Sequence, residues 1–347
     1  MVTVRTVGRE AYERLRERDW GTPRVECLPD GSVDEYYEVY DGRDNHVASR
    51  EAFGRLVAEG TSESVRLRPR GTEPGGQAVN AARQVDALGG EPGVLGHLDD
   101  PVLEGLPFPT RSMGDPARVD VLEFDAGAFM LSEESDDLRA WTPDDLKDVD
   151  PGFEYVRAAD AVFAANWVSM PEVSEVLERF ADVDGLGTVV FDPGDLTKSD
   201  PSEVSRLADS LSALAAVHRV VLSTNESEMR YVADTLAVEP GPLPERTEAV
   251  RQRTGVDTAV VHDEDQAIGA SDSEVVRVPN LETETVRRTT GAGDRFDGGL
   301  AFGLADDPPL SSALALGNAC ASYYVATTET ADADVVTAYV ADSPLRE

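Results

Sequence analysis

Residues 289–294 combine residue types that bind and transfer phosphate groups. A run of three small residues, Gly291, Ala292 and Gly293, follows two threonines. Glycines at a strand-to-helix junction let backbone N–H groups converge on one point, and the helix dipole adds positive potential there. Asp294 comes next, where a carboxylate can accept a proton from a hydroxyl that attacks phosphorus. The alternative is a first-turn acid that only complements the helix dipole, beside glycines that pack against a strand.

Two hydrophobic patterns indicate the elements that must position this segment. From about residue 158, short apolar strands alternate with amphipathic helices, which predicts βαβ units and a parallel sheet covered on both faces. Residues 25–29 resemble a first strand, and much of the next hundred residues is typical of a small solvent-facing sheet. In parallel sheets of this kind, ligands bind at the carboxyl ends of the strands.

These patterns divide the chain into an extension, a domain and a lid. We predict a helical N-terminal extension over residues 1–24 and one α/β domain over residues 25–347. The central, mostly parallel sheet of this domain is flanked by helices. Segments at about residues 33–72 and 105–132 are predicted to form a small β-sheet lid.

Four motifs, in the same order along the chain, resemble the ribokinase-like, or PfkB, carbohydrate kinases. TTGAGD with the following FDGGL is similar to the C-terminal motif of this family, and GGQAVN at residues 75–80 to its N-terminal motif. Asn225 and Glu228 have the spacing of its NxxE motif, and GSVDEYYEV from Gly31 resembles the turn that enters the lid. The resemblance spans roughly residues 25–345. It implies a ribokinase-like fold and ATP-dependent phosphoryl transfer to a hydroxyl of a sugar, sugar acid or nucleoside.

The resemblance also implies roles for residues at the strand ends. Asp294 would be the general base, and the backbone N–H groups of residues 291–293 would hold the charge that develops on the transferred phosphoryl group. Asn225 and Glu228 would organise Mg²⁺ and its waters, because magnesium prefers oxygen ligands. The alternative for this pair is a helix N-cap with its capping-box acid. The residues with an implied nucleotide-binding role are Asn225, Glu228, Thr290, His262 and Asn318.

The implied sugar pocket lies at the N-terminal motif. It is lined by Gly75, Gly76, Gln77 and Asn80. The glycines allow a ligand to approach the backbone, and the Asn80 amide offers both a donor and an acceptor to hydroxyls. Asp34 can accept hydrogen bonds from two neighbouring hydroxyls. No constellation of arginine or lysine marks a phosphorylated substrate, which favours an unphosphorylated one.

Three positions depart from the family pattern. Arg288 stands where an acidic residue usually helps to bind a monovalent cation, so we expect its guanidinium to replace that cation beside the anion site. VVHDED at residues 260–265 replaces the usual Thr-x-Gly nucleotide contact, which leaves the choice between ATP, ADP and GTP open. Tyr36 occupies the usual position of a sugar-binding aspartate. The alternatives to an ATP-dependent kinase are a sugar- or nucleotide-binding sensor of the same fold and an ADP-dependent sugar kinase.

Charge and composition restrict the partners. The 347 residues carry 31 Lys plus Arg against 67 Asp plus Glu, a net charge of −36. This acidity argues against nucleic acid, whose phosphates bind basic surfaces. With only two lysines, Lys147 and Lys198, the composition is typical of a cytosolic protein from an extreme halophile. No apolar run of about 18 residues predicts a membrane span, and the distant Cys27 and Cys320 fit a reduced, cytoplasmic compartment.

The remaining features concern metals and assembly. The four histidines, at positions 46, 97, 218 and 262, are scattered without a metal-binding spacing. We expect a small-molecule carbohydrate and a nucleotide as partners. A homodimer through the lid is expected if DEYYEVY forms an exposed edge strand.

Overall fold

Strands and helices alternate along the chain in the computed structural model, which describes residues 3–18, 20–60, 64–125, 127–305 and 308–346. The strands are β1 (Val4–Thr6), β2 (Arg24–Leu28), β3 (Ser32–Tyr40), β4 (Arg66–Gly75), β5 (Glu91–Gly96), β6 (Thr110–Ser112), β7 (Ala117–Glu123), β8 (Ala128–Glu133), β9 (Ala161–Ala165), β10 (Thr188–Asp192), β11 (Val220–Asn225), β12 (Thr258–His262), β13 (Gln266–Ser271) and β14 (Val275–Pro279). The helices are α1 (Arg9–Arg16), α2 (Arg50–Ala58), α3 (Gln77–Ala87), α4 (Asp136–Ala140), α5 (Pro143–Val149), α6 (Glu154–Ala158), α7 (Val173–Phe180), α8 (Pro201–Ala215), α9 (Glu226–Thr235), α10 (Leu243–Thr254), α11 (Ala292–Leu304), α12 (Leu310–Thr327) and α13 (Ala333–Asp342). Small parts of the predicted extension, lid and domain, at residues 1–2, 19, 61–63, 126, 306–307 and 347, lie outside the described residues.

Ten of the described strands form one sheet in the order β1-β14-β13-β12-β11-β10-β9-β2-β5-β6. Neighbouring strands pair in parallel, except that β13 is antiparallel to both β12 and β14. Side chains alternate between the two faces, so that Phe163 of β9 packs into one core layer and Val162 into the other. Helices cover both layers, which confirms the predicted fold class. No helix in the described parts of the chain is long and apolar enough to cross a membrane.

The lid is a separate sheet of four strands within the described parts of residues 32–133, in the order β4-β3-β7-β8. Its second segment begins at Ala117 rather than at residue 105, because Thr110–Ser112 pairs with β5 at the edge of the main sheet. β3 contains DEYYEVY and lies between β4 and β7, so the predicted edge strand is wrong. The exposed apolar lid residues on the edge strand β8 are Phe129, Met130 and Leu131.

The N-terminal segment contributes a strand as well as a helix. The sequence predicts only a helix for residues 1–24, but β1 precedes α1 and pairs in parallel with β14. Ala11, Tyr12 and Leu15 of α1 are buried in the core layer that also contains residues of α12. The extension therefore belongs to the α/β domain.

The lid and the main sheet meet where α3 and α11 begin. β4 of the lid leads directly into α3, which packs against α11. On the main sheet, β10, β11 and β12 end at Asp192, Asn225 and His262. Polar side chains from two helix starts and three strand ends are thus gathered at one edge of the sheet, where ligands of parallel sheets bind.

Candidate active site

Helix α11 begins at a left-handed glycine. Gly291 has a φ of 83° and precedes the helix as its N-cap, a conformation that a residue without a Cβ adopts at little steric cost. The first N–H groups of a helix have no partner within it, so those of Gly293 and Asp294 lie at a positively polarised helix start. The predicted anion site and the predicted base therefore share one helical turn.

The carboxylate of Asp294 is held by a residue of the N-terminal motif. Asn80 Nδ2 donates a hydrogen bond to Asp294 Oδ2 over 2.8 Å. Burial raises the pKa of Asp294, and the hydrogen bond from Asn80 opposes this shift most strongly. The charge of Arg295 and the side chain of Gln77 oppose it further. A carboxylate whose pKa lies above the ordinary value takes up a proton more readily, as a general base must.

Arg295 is a buried cation that sequence reasoning missed. Only 1% of its surface is exposed, and burial lowers its pKa to about 10. Its Nη1 donates to the backbone oxygen of Asn80 over 2.8 Å, and its Nε donates to Thr330 Oγ1 over 3.1 Å. Arg295 therefore ties α11 to α3 and keeps Asn80 beside Asp294. No local pattern distinguishes it from an exposed helical arginine.

Asp30 was also missed, because Asp30-Gly31 has the composition of an ordinary turn. Its carboxylate accepts hydrogen bonds from the backbone N–H groups of Gln77 and Ala78, over 2.9 and 2.8 Å, and from Asn166 Nδ2 over 3.0 Å. It thereby caps α3. Burial raises the pKa of Asp30 to about 6, and the nearby charge of Asp294 contributes to the rise.

Gly76, at the start of α3, has a φ of 96°, and a Cβ there would lie 2.8 Å from the Cα of Gly31. The two predicted pocket glycines thus allow close packing of the lid entrance. Gly75 is the last residue of β4 and pairs with Ser32. A Cβ on Gly75 would come within 2.3 Å of the carboxylate of Asp34, so the absence of a side chain there makes room for that carboxylate.

Asp34 is buried on β3 and accepts a hydrogen bond from Ser32 Oγ over 2.6 Å. Burial raises the pKa of Asp34 to about 6, and the charges of Asp294 and Glu73 raise it further. Because Asp34 and Asp294 affect each other electrostatically, the structure brings the predicted sugar ligand and the predicted base into one region. Tyr36, two residues later, is buried in the lid.

Asn225 and Glu228 form a capping box at the start of α9. Glu228 N–H donates to Asn225 Oδ1, and Glu228 Oε2 accepts from the Asn225 N–H over 2.9 Å. The structure thus contains the helix cap that the alternative interpretation predicted. The same arrangement leaves the carboxylate of Glu228 buried at the end of β11. Burial raises the pKa of Glu228 to about 8, and the charge of Asp192 on the neighbouring strand adds to the rise. Such a carboxylate gains from a nearby cation.

Two further buried carboxylates, Asp192 and Asp297, lie close to each other, and Asp192 also acts on Glu228. Asp192 ends β10, and Asp297 is in the second turn of α11 with none of its surface exposed. Asp297 Oδ1 accepts a hydrogen bond from Ser223 Oγ over 2.6 Å. Burial raises the pKa of both groups, and the charge of Asp192 raises that of Asp297 further. The position of Asp192 after a buried strand was a signal that could have identified it.

A cavity of about 580 Å³ opens beside the start of α11. Ala292 and Gly293 line it, together with His262 and Asn318 and with lid residues that include Arg50. The ring of His262 packs on Phe296 with centroids 4.8 Å apart, and burial lowers its pKa to about 4. Asn318 borders the cavity, but its Nδ2 donates to Tyr12 and to the Val278 carbonyl. Thr289, rather than the predicted Thr290, borders the cavity.

Arg288 does not lie where we expected it. Its guanidinium pairs with Glu123 of β7 over 3.0 Å and with Glu73 of β4 over 3.3 Å, and it stacks on the ring of Tyr36 at 3.8 Å. The charge is therefore bound by the lid instead of replacing a cation beside the anion site. The physical reason is the lid itself, which offers two carboxylates and an aromatic face within reach of one side chain.

Comparisons with known proteins concern the family and the fold of this chain. A family model described as "Prokaryotic ketohexokinase" matches residues 21–343. The ketohexokinase of Haloferax volcanii is 30% identical over 324 residues, which cover 86% of this chain and 85% of that protein. Among solved structures, a ribokinase from Thermotoga maritima has a TM-score of 0.67 at 17% identity and covers 92% of this chain and 99% of its own. An adenosine kinase from Sinorhizobium meliloti has a TM-score of 0.66 at 18% identity, with 92% and 98% covered.

Proposed function

Because this chain belongs to the prokaryotic ketohexokinase family and is a PfkB carbohydrate kinase, we propose that it transfers the γ-phosphoryl group of ATP to a hydroxyl of a ketohexose. The observation that carries the proposal is the meeting of Asp294, Asn80 and Asp34 at the glycine-capped start of α11. The nearness of these three residues supports a base, a sugar ligand and an anion site within one region.

Asp294 acts as the general base in this proposal. Its raised pKa favours proton uptake from the attacking hydroxyl, and Asn80 fixes the orientation of the carboxylate through the hydrogen bond to Oδ2. Arg295, which holds the backbone of Asn80, keeps that geometry. Proton transfer to a positioned base contributes about 10²–10⁴-fold to a rate.

The start of α11 binds the phosphoryl group that is transferred. The N–H groups of the first turn and the helix dipole stabilise negative charge there without any lysine. This matters in a chain with two lysines among 347 residues. Gly291 supplies the left-handed turn that lets the helix begin at this point.

The residues at the end of β11 suit Mg²⁺. Asn225 and Glu228 offer oxygen ligand atoms, and Glu228 is a buried carboxylate whose raised pKa favours a nearby cation. When bound, Mg²⁺ would neutralise phosphate charge. Asn225 holds both oxygens of Glu228 in place, so Glu228 would reach the ion through water.

The lid excludes water and selects the sugar. Asp34 and Gly75 form part of the sugar pocket at the lid entrance, and Arg50 and Asp125 of the lid border the same cavity as Gly293. Covering the reacting groups protects the activated phosphoryl group from hydrolysis. The cavity beside His262 and Asn318 would receive the nucleotide.

A substrate panel tests the proposal. Ketohexoses, aldohexoses, sugar acids, nucleosides and sugar phosphates are assayed with ATP, ADP and GTP in molar KCl with Mg²⁺. We expect the highest kcat/KM for a ketohexose with ATP, and loss of that activity in Asp294→Asn. Preference for a nucleoside, or for ADP as donor, would overturn the assignment of substrate or of nucleotide respectively.

A further inference from the structure

One cluster of potential metal ligands, with two buried carboxylates and a half-buried histidine, belongs neither to the proposed base nor to the proposed Mg²⁺ site. Asp192, His262 and Asp297 come from β10, β12 and α11, and one ligand atom of each lies within 4.8 Å of the others. The cluster lies behind Gly293, because a Cβ on Gly293 would be 3.3 Å from His262 Cε1 and 3.9 Å from its Nε2. The three residues are far apart in sequence, so no local spacing predicts that they lie together.

Two atoms of the cluster are buried without a hydrogen-bond partner among the described residues. They are Asp297 Oδ2 and His262 Nε2. An unsatisfied buried polar atom costs about 1–3 kcal/mol, so native proteins rarely leave two of them side by side. Asp297 itself is fully buried, and its other oxygen is already bound by Ser223. The unpartnered atoms therefore point to a missing ligand.

The charge of the cluster specifies what that ligand is. Asp192 and Asp297 face each other, and the negative charge of Asp294 acts on both carboxylates. A proton shared between the two carboxylates would relieve their repulsion but would leave His262 Nε2 without a partner. A cation satisfies all three groups, since a neutral imidazole nitrogen and two carboxylate oxygens are all ligand atoms.

We propose that Asp192, His262 and Asp297 bind a divalent transition-metal ion of the Mn²⁺ or Zn²⁺ type, separate from the Mg²⁺ that accompanies the nucleotide. The imidazole decides the class, because nitrogen ligands favour transition metals over Mg²⁺, which prefers oxygen. An ion held there adds positive charge behind the start of α11, where the phosphoryl group binds.

Metal binding without nucleotide or sugar tests the inference independently of catalysis. The chelator-treated full chain is titrated with Mn²⁺ in molar KCl and millimolar Mg²⁺, and bound Mn²⁺ is followed by electron paramagnetic resonance. We expect one tightly bound Mn²⁺ per chain, with electron spin-echo modulation from an imidazole nitrogen. His262→Gln and Asp297→Asn should each weaken binding at least about tenfold, and His46→Gln, an exposed histidine on the lid, is the matched control.

Each other outcome overturns the inference. Absence of bound Mn²⁺ would mean that Asp192 and Asp297 share a proton. Binding that survives both His262→Gln and Asp297→Asn but is lost in Glu228→Gln would place the ion at the nucleotide Mg²⁺ site. Thermal unfolding of the metal-free variants shows whether each one is folded, and either variant alone suffices for the test.

Discussion

Substituting Gly75 by alanine tests the geometry of the sugar pocket. The new Cβ would lie 2.3 Å from the Cγ and from both carboxylate oxygens of Asp34. Carbon and oxygen atoms normally approach to about 3.5 Å, so the carboxylate must move by about 1 Å. That movement also breaks the 2.6 Å hydrogen bond from Ser32. We therefore expect Asp34 to lose its contact with the sugar while the backbone fold is kept.

The magnitude follows from the kind of contact that is lost. Hydrogen bonds to a charged group contribute about 1.5–3 kcal/mol, which corresponds to a rise of about 10–150-fold in the KM for sugar. The KM for ATP should change little, because Asp34 lies on the lid side of Asp294. Steady-state kinetics with each substrate varied in turn measure both values.

Gly71→Ala is the matched control for Gly75→Ala. It adds the same atom to the same strand, β4, and meets nothing within 4 Å. We expect its sugar KM and melting temperature to stay close to those of the wild type. A normal sugar KM in Gly75→Ala, together with a raised one in Asp34→Asn, would refute the inferred displacement. A normal KM in both variants would remove Asp34 from the sugar pocket.

Three further predictions concern the base, the lid and pH. Asp294→Asn should lower kcat about 10²–10⁴-fold and leave sugar binding, measured by calorimetry, nearly unchanged; turnover close to wild type would remove Asp294 as the base. Arg288→Met breaks the ion pairs to Glu73 and Glu123 and should raise the KM for sugar about tenfold. Steady-state kinetics measure this value, and an unchanged KM would contradict the prediction. Glu228 keeps its proton up to about pH 8 when folded but only to about pH 4.5 when unfolded, so wild-type stability falls as pH rises through that window. Denaturant unfolding in EDTA should therefore show Glu228→Gln gaining on the order of 4 kcal/mol relative to wild type between pH 5 and pH 8, about 1.4 kcal/mol for each pH unit, and no gain would contradict the raised pKa.

Local patterns allowed much of the fold to be predicted. The alternation after residue 158 predicts the parallel sheet, because strands buried on both faces are short apolar runs and the helices that cover them have apolar residues at a 3.6-residue period. β1 has no hydrophobic pattern that would predict a strand. Its three residues, Val4–Thr6, are exposed, and their strand conformation depends on pairing with β14, about 270 residues away in sequence.

The same distinction holds for the candidate site. The glycines before Asp294 are recognisable because a helix start that binds an anion requires them locally. The roles of Asp30 and Arg288 cannot be recognised from the local sequence, because their partners are distant in sequence. Asp30 binds the start of α3, and Arg288 binds Glu73 and Glu123 of the lid. Sequence spacing also could not predict that His262 lies near Asp192. Their proximity depends on the pairing of β10 and β12 with the same strand, β11.

The attachment of Arg288 to the lid has a consequence for how the binding of one substrate affects the affinity for the other. Arg288 lies three residues before Gly291, so one short segment connects the lid to the start of α11. In the proposed reaction, a sugar that draws the lid inward would also change the position of this segment beside the nucleotide. By thermodynamic linkage, the factor by which sugar strengthens nucleotide binding must equal the factor by which nucleotide strengthens sugar binding. In the proposed reaction, Arg288 would thus contribute to coupling the two ligands, beside the connection that β4 and α3 make from the lid to α11.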